Sequence, residues 1–227
     1  MKLIIFDIDG TILDSVNADD WCFVQTFKDL FQIDLANVNW NDFKNVTDQG
    51  ITEEIFERWF KRMPEKQEVE IIKRHYKNLL KEKTNEFTEI DKALSFIELL
   101  ADSLDFEIGF ATGGWQETAR LKCSSVGFNL NNFIFKSSSH HYNRAKIIEL
   151  VIKEAMDKNK NVQYESILYF GDGLWDLKAT KELGIDFIGV DFNENNKLRN
   201  AGVKKVIKNY VDPDKVMNLI QESIQVD

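Results

Sequence analysis

Short apolar runs suited to buried strands recur along this chain, each separated from the next by a stretch of helical periodicity. That alternation narrows the architecture to α/β. The strand-like runs cover residues 3–6, 106–111, 133–136, 167–170 and 187–190, with a weaker one at 205–207. Helices are expected over about 89–101, 115–125, 143–157, 175–183 and 212–225. The pattern predicts a doubly wound parallel sheet with helices on both faces.

Residues 15–88 interrupt the alternation. They hold no convincing strand and read as four helices, near 16–31, 40–45, 52–63 and 66–83. Trp21, Phe23, Phe27, Phe31, Phe56, Trp59 and Phe60 fall at roughly helical spacings, which predicts a second small core. The expected organisation is an α/β core from 1–14 and 89–227, with an all-helical insert, 15–88, after the first strand. A chain of 227 residues is long enough for both.

The ends of the predicted strands carry the chemistry. The run Leu3 to Phe6 ends on Asp7 and Asp9, followed by Gly10 and Thr11. Open α/β sheets place ligands at the C-terminal ends of their strands. Two carboxylates one residue apart can divide the work, one as nucleophile or metal ligand and one as proton shuttle. An ordinary Asp-Gly turn would leave the same letters. The second run ends on Thr112, Gly113 and Gly114, where a hydroxyl and backbone N–H groups at a helix start make a phosphate cradle. A helix cap with turn glycines also fits. At the fourth run, Asp172 and Asp176 stand four apart at a loop-to-helix junction and can share one side. Magnesium prefers such hard oxygen ligands, although acids also favour a helix N-terminus for its dipole alone.

Residues 7–15 read Asp-Ile-Asp-Gly-Thr-Ile-Leu-Asp-Ser. This resembles the signature of the haloacid dehalogenase-like (HAD-like) hydrolases, D-x-D-G-T-[LIV]-x-D-S, at Asp7, Asp9, Gly10, Thr11, Asp14 and Ser15. Thr112-Gly113 is similar to the family's second motif, and Gly171-Asp172 with Asp176 to its fourth, G-D-x-x-x-D. The third motif is a Lys or Arg at a helix start. Arg144 and Lys146 are both candidates: position favours Arg144, residue type favours Lys146, and the usual Lys-Pro neighbourhood is absent.

The resemblance implies a HAD-like Rossmannoid core whose helical insert caps the active site, as in the phosphoglycolate phosphatase and beta-phosphoglucomutase-like branch. It implies Asp7 as nucleophile and Asp9 as acid and base. Thr112, Gly113 and Arg144 or Lys146 would bind the phosphoryl group. Mg²⁺ would be held by Asp7, Asp9 (through its carbonyl), Asp172 and Asp176. The expected activity is Mg²⁺-dependent hydrolysis of a small phosphorylated metabolite through an aspartyl-phosphate. A sugar phosphomutase and a catalytically idle regulatory protein are the alternatives. Asp9 favours phosphoryl transfer over carbon–halogen cleavage, because the family's dehalogenases typically lack that second acid. In the family a cap loop placed like Thr47-Asp48-Gln49-Gly50 reads the leaving group; a plain interhelix turn explains the same letters.

A formal charge of −9 argues against nucleic acid or an anionic membrane surface as partner. No apolar run reaches the roughly 18 residues of a transmembrane helix. The N-terminus enters a strand directly without signal-peptide features, from which a cytoplasmic protein is expected. Cys22 and Cys123 lie too far apart in sequence for metal-type spacing and read as reduced structural thiols. The sequence sets no oligomeric state.

Overall fold

The computed structural model describes residues 1–159 and 163–224. Its elements run in the order β1 (Lys2–Phe6), β2 (Leu13–Asp14), α1 (Val16–Phe31), α2 (Asp48–Phe60), α3 (Lys66–Glu82), β3 (Thr88–Glu89), α4 (Ala93–Ala101), β4 (Phe106–Ala111), α5 (Gln116–Ser125), β5 (Ile134–Lys136), α6 (Arg144–Lys158), β6 (Ile167–Gly171), α7 (Leu174–Leu183), β7 (Asp186–Val190), α8 (Lys197–Asn200), β8 (Val206–Ile207) and α9 (Pro213–Gln221). Six strands form one parallel sheet in the order β5-β4-β1-β6-β7-β8.

β1 is central and buried on both faces, which explains its unbroken apolar letters. Ile4 and Phe6 face the layer that contains α4, α5 and α9, while Leu3 and Ile5 face α6 and α7. Phe6 pairs in register with Phe110 on β4 and Phe170 on β6. The rings of Phe6 and Phe170 stack with centroids 4.7 Å apart. This aromatic row fixes the register of three strands, and the residues just beyond it are Asp7, Thr112 and Asp172. Placement of the chemistry at one end of the sheet is therefore a packing result.

Helices α1, α2 and α3 follow β1 and β2 in sequence, before the rest of the sheet domain, and pack around their own core, which includes Cys22, Phe23, Phe27, Phe56, Ile72 and Tyr76. Trp115, from the sheet domain, is fully buried in that same cluster and ties the two together. Three of the aromatics expected there are only partly covered: Trp21, Trp59 and Phe60 are 50%, 46% and 39% exposed, with Phe60 at the core's edge against Phe56, ring centroids 5.1 Å apart. The buried stripe of α1 runs through Ala18, Cys22, Phe23, Thr26 and Phe27. Trp21 falls outside it, and the Lys83 ammonium lies 4.9 Å from its ring centroid.

Other boundaries also differ from expectation. The expected helix 40–45 is only a 3₁₀ turn, Trp40–Asp42. The chain must leave that turn early, because Thr47 caps α2 by accepting a hydrogen bond from the Gly50 N–H. Helix α2 thus starts at Asp48 rather than 52, and Thr47 to Gly50 form its start rather than a loop. Residues 88 and 89 form β3, antiparallel to Leu13–Asp14, so a two-stranded ribbon closes the root of the helical insert. Helix α8 was not anticipated, and α9 ends at Gln221 in a 3₁₀ turn to Ile224. Gln225, the expected end of that helix, lies outside the described residues. Cys22 and Cys123 are both buried free thiols. No helix among the described residues is long and apolar enough to cross a membrane.

Candidate active site

Asp7 follows β1 directly, held by its N–H to the Phe170 carbonyl at 2.9 Å. It is almost fully buried, and its Oδ1 has no hydrogen-bond partner among the described residues. Its Oδ2 accepts from Arg144 Nη1 at 3.2 Å. The same nitrogen donates to Asp176 Oδ1 at 2.8 Å, and Nη2 donates to the Val46 carbonyl of the helical insert at 3.1 Å. Asp7, Asp172 and Asp176 present carboxylate oxygens within 4.8 Å of one another. Asp176 Oδ2 also accepts from the Gly173 N–H at 2.9 Å. Asp172 Oδ2 accepts from Lys197 Nζ at 2.9 Å.

Burial lifts the Asp7 carboxyl well above its usual range; Arg144 opposes the shift, and Asp176, Asp172 and Asp9 add to it. Burial also pushes Asp172 up to about 6 against the pull of Lys197. Three buried acids, hard oxygen donors and an orphaned Asp7 oxygen fit a small divalent cation. Gly10, at φ +74°, lets the loop after Asp7 close over this group; a Cβ there would lie 2.6 Å from Asp172 Cγ.

Asp9 is turned away from the triad. Its Oδ1 accepts from Ser15 Oγ at 2.5 Å and its Oδ2 from Lys122 Nζ at 2.7 Å. Lys122 comes from α5, is fully buried, and also pairs with Asp19 of α1. Burial would push its ammonium down, but Asp19, Asp9 and Asp48 outweigh that and hold it above the usual lysine range. The Thr112 hydroxyl accepts from the Gly114 N–H at 3.2 Å. Gly113 leaves room for the guanidinium, since a Cβ there would lie 2.2 Å from Arg144 Nη2.

Asp7, Asp9, Thr112, Gly113, Arg144 and Asp172 line one pocket between the sheet and the helical insert; Asp176 stands behind it, against Arg144. Of the two candidate cations, the structure brings Arg144 into this group. Lys146 points outward, is 56% exposed and pairs with Glu149. Asn143 caps α6 and orients its first turn so that Arg144 faces the sheet. Sequence reasoning missed Lys122, Lys197 and Asp19. It also missed the pocket roles of Asp20, Phe23 and Trp40.

The insert is closed on the sheet domain. The Asp48 N–H donates to the Gly113 carbonyl at 2.8 Å, and Asp48 Oδ2 accepts from the Trp115 N–H at 2.8 Å. Thr47 Oγ1 donates to the Tyr142 carbonyl at 2.6 Å. Burial, then the Asp19 charge, push the Asp48 carboxyl up to about 8 from an ordinary 3.8. The folded state thus binds this proton more tightly than the unfolded chain does. Its stabilising contribution is complete below the unfolded value and is lost as pH rises through the folded one. Asp48→Asn keeps the acceptor and removes the charge. We expect the melting temperature of the wild type to fall relative to Asp48→Asn between about pH 4 and pH 8. Parallel pH–melting curves would contradict the assignment.

The chain belongs to the haloacid dehalogenase-like hydrolases, whose family model matches residues 4–190. No curated protein matches it. Among solved structures it is similar to a hydrolase from Pseudomonas syringae, with TM-score 0.75 and 18% identity over 99% of this chain and 100% of that one. It is also similar to CbbY from Rhodobacter sphaeroides, with TM-score 0.71 and 17% identity over 93% and 96% of the two chains. A haloacid dehalogenase-like family protein from Streptococcus pneumoniae gives TM-score 0.61 and 20% identity over 97% and 99%. At these identities the likeness is one of fold.

Proposed function

We propose that this protein is a Mg²⁺-dependent phosphatase acting on a small phosphorylated metabolite through an aspartyl-phosphate. The observation that carries this reading is the buried Asp7 carboxylate, with one oxygen unpartnered and the other beside Arg144, at the mouth of the Thr112-Gly113 turn. In the first step an Asp7 oxygen attacks phosphorus and the bond from phosphorus to the substrate's ester oxygen breaks. Asp9 gives its proton to that departing oxygen. In the second step Asp9 takes a proton from water, which attacks the same phosphorus and releases inorganic phosphate and free Asp7. The Thr112 hydroxyl, the Gly113 N–H and the Arg144 guanidinium hold the phosphoryl oxygens as their charge shifts.

Asp7, Asp172 and the Asp9 carbonyl would hold Mg²⁺, with Asp176 behind them. When bound, Mg²⁺ supplies charge that relieves repulsion between Asp7 and the phosphoryl oxygens. Ser15 and Lys122 fix Asp9 beside the reacting group. The closed insert keeps bulk water from the first step. A phosphorylated ligand is in keeping with the neighbour CbbY, known in a complex with phosphate and, as an aspartate-to-asparagine mutant, with xylulose-(1,5)bisphosphate. The insert's side of the pocket favours a hydrolase over a mutase, because a bisphosphate would need a second cation there and that wall carries none among the described residues.

Phosphate release from an aryl phosphate and a metabolite panel, with and without Mg²⁺, tests the reading. Arg144→Ala should lower the rate by about 10²-fold or more. Lys146→Ala, which breaks only an exposed ion pair, should leave both stability and the rate near wild type. Equal losses in the two variants would reassign the phosphoryl-binding cation.

A further inference from the structure

The pocket has two walls of different chemistry. The sheet-domain wall carries the reacting groups together with Arg144 and Lys197. The wall built by the helical insert carries Asp19, Asp20 and Asp48 beside Phe23 and Trp40, and among the described residues no Lys, Arg or His lines it. Lys122, from behind, answers Asp19 and Asp9.

Lys122 acts on Asp20 and Asp48 only through space, and neither is in contact with a charged partner among the described residues. Asp20 Oδ2 accepts from Trp40 Nε1 at 3.1 Å and Asp48 Oδ2 from the Trp115 N–H at 2.8 Å, both neutral donors. No partner is found for Oδ1 of either among the described residues. Asp48 is more than nine-tenths buried. At the other end of the pocket, Asp7 Oδ1 is buried and unpartnered, so carboxyl oxygens open to a ligand stand at both ends of one cavity.

A phosphate dianion and a divalent cation cancel at the reacting end. The insert's end therefore presents its acidic side chains to the rest of the substrate, whatever happens there. A buried carboxylate without a counter-charge is costly, and a ligand cation removes that cost. The aromatic rings of Phe23 and Trp40 also favour a cation over an anion. A leaving group bearing a carboxylate or a second phosphate would meet like charge on this wall.

On the phosphatase reading above, we infer that the substrate is the phosphate monoester of an amino alcohol, with its ammonium group seated against Asp20 and Asp48 beside Phe23 and Trp40. Burial and the Asp19 charge raise Asp20 to about 7 and Asp48 to about 8, and a bound ammonium would favour their ionised forms, with the protons passing to solvent.

The test separates binding from turnover. Calorimetry on Mg²⁺-loaded Asp7→Asn protein compares choline phosphate with neohexyl phosphate, its uncharged carbon isostere, and ethanolamine phosphate with propyl phosphate. At least one ammonium compound should bind about tenfold or more tightly than its isostere, and all should outbind phosphoglycolate. The Asp20→Asn/Asp48→Asn double variant, checked for folding by circular dichroism, should lose that preference. Asp20→Asn alone, at a half-buried position, serves if the double variant does not fold. Equal binding of charged and uncharged partners, or tighter binding of phosphoglycolate, overturns the inference. Aryl phosphate turnover by the wild type reports on the reaction separately. Asp7-dependent turnover without ammonium preference keeps the phosphatase and removes this substrate class. Ammonium preference without Asp7-dependent turnover does the reverse.

Discussion

Asp7→Asn should abolish phosphate release, by about 10⁴-fold or more, while the protein stays folded. Asparagine keeps the shape of the side chain and its acceptor oxygen toward Arg144 but cannot form the acyl-phosphate. Stability should not suffer at neutral pH. The wild-type carboxylate is desolvated and crowded by Asp176 and Asp172, and Arg144 retains Asp176 as a partner in the variant. Because folding raises the Asp7 pKa, its contribution to stability declines as pH rises. The melting temperature of Asp7→Asn should therefore gain on the wild type toward high pH. Steady-state assays with an aryl phosphate, together with thermal melts at several pH values, check both halves. Near-normal turnover would remove Asp7 from the role of nucleophile.

Lys122→Met should cost about 3–5 kcal/mol of stability, the largest loss expected from any single side chain outside the triad. Lys122 is the buried cation between Asp9 of the sheet domain and Asp19 of the helical insert. Methionine fills the same volume but leaves both carboxylates uncompensated, with Asp48 nearby adding to the repulsion. Asp19→Asn placed on top of Lys122→Met should recover part of the loss, since it removes one of the stranded charges. Urea unfolding of the four proteins in the cycle measures this directly. A loss below about 1 kcal/mol for Lys122→Met, or simple additivity in the cycle, would show that the three groups do not act together.

β1, β4 and β6 were legible because buried parallel strands write themselves as apolar runs, and their polar successors Asp7, Thr112 and Asp172 then stand out. Lys122 was hidden because its partners are 113 and 103 residues away in sequence. A signal existed: it sits with Ala119 and Cys123 on the buried face of α5, where a lysine is out of place unless it is paired. Asp19 gives the same kind of signal between Ala18 and Phe23 on α1. Trp21, Trp59 and Phe60 misled because helical spacing groups aromatics by face without saying which face meets a partner. The choice between Arg144 and Lys146 could not be read from letters two positions apart. The cap at Asn143 sets the phase of α6 and thereby sends one cation inward and the other to solvent. The short ribbon of β2 and β3 left almost no signature, because two-residue strands have no periodicity to detect.

The most direct test of the account is chemical trapping of the phosphorylated enzyme. The protein would be mixed with Mg²⁺ and an aryl phosphate that it turns over, quenched in acid, and treated with borohydride, which reduces an acyl-phosphate to an alcohol. Peptide mass spectrometry should then find homoserine in place of aspartate at position 7, and no such conversion in Asp7→Asn. Turnover with no conversion at Asp7, or with the adduct on another residue, would contradict the central claim.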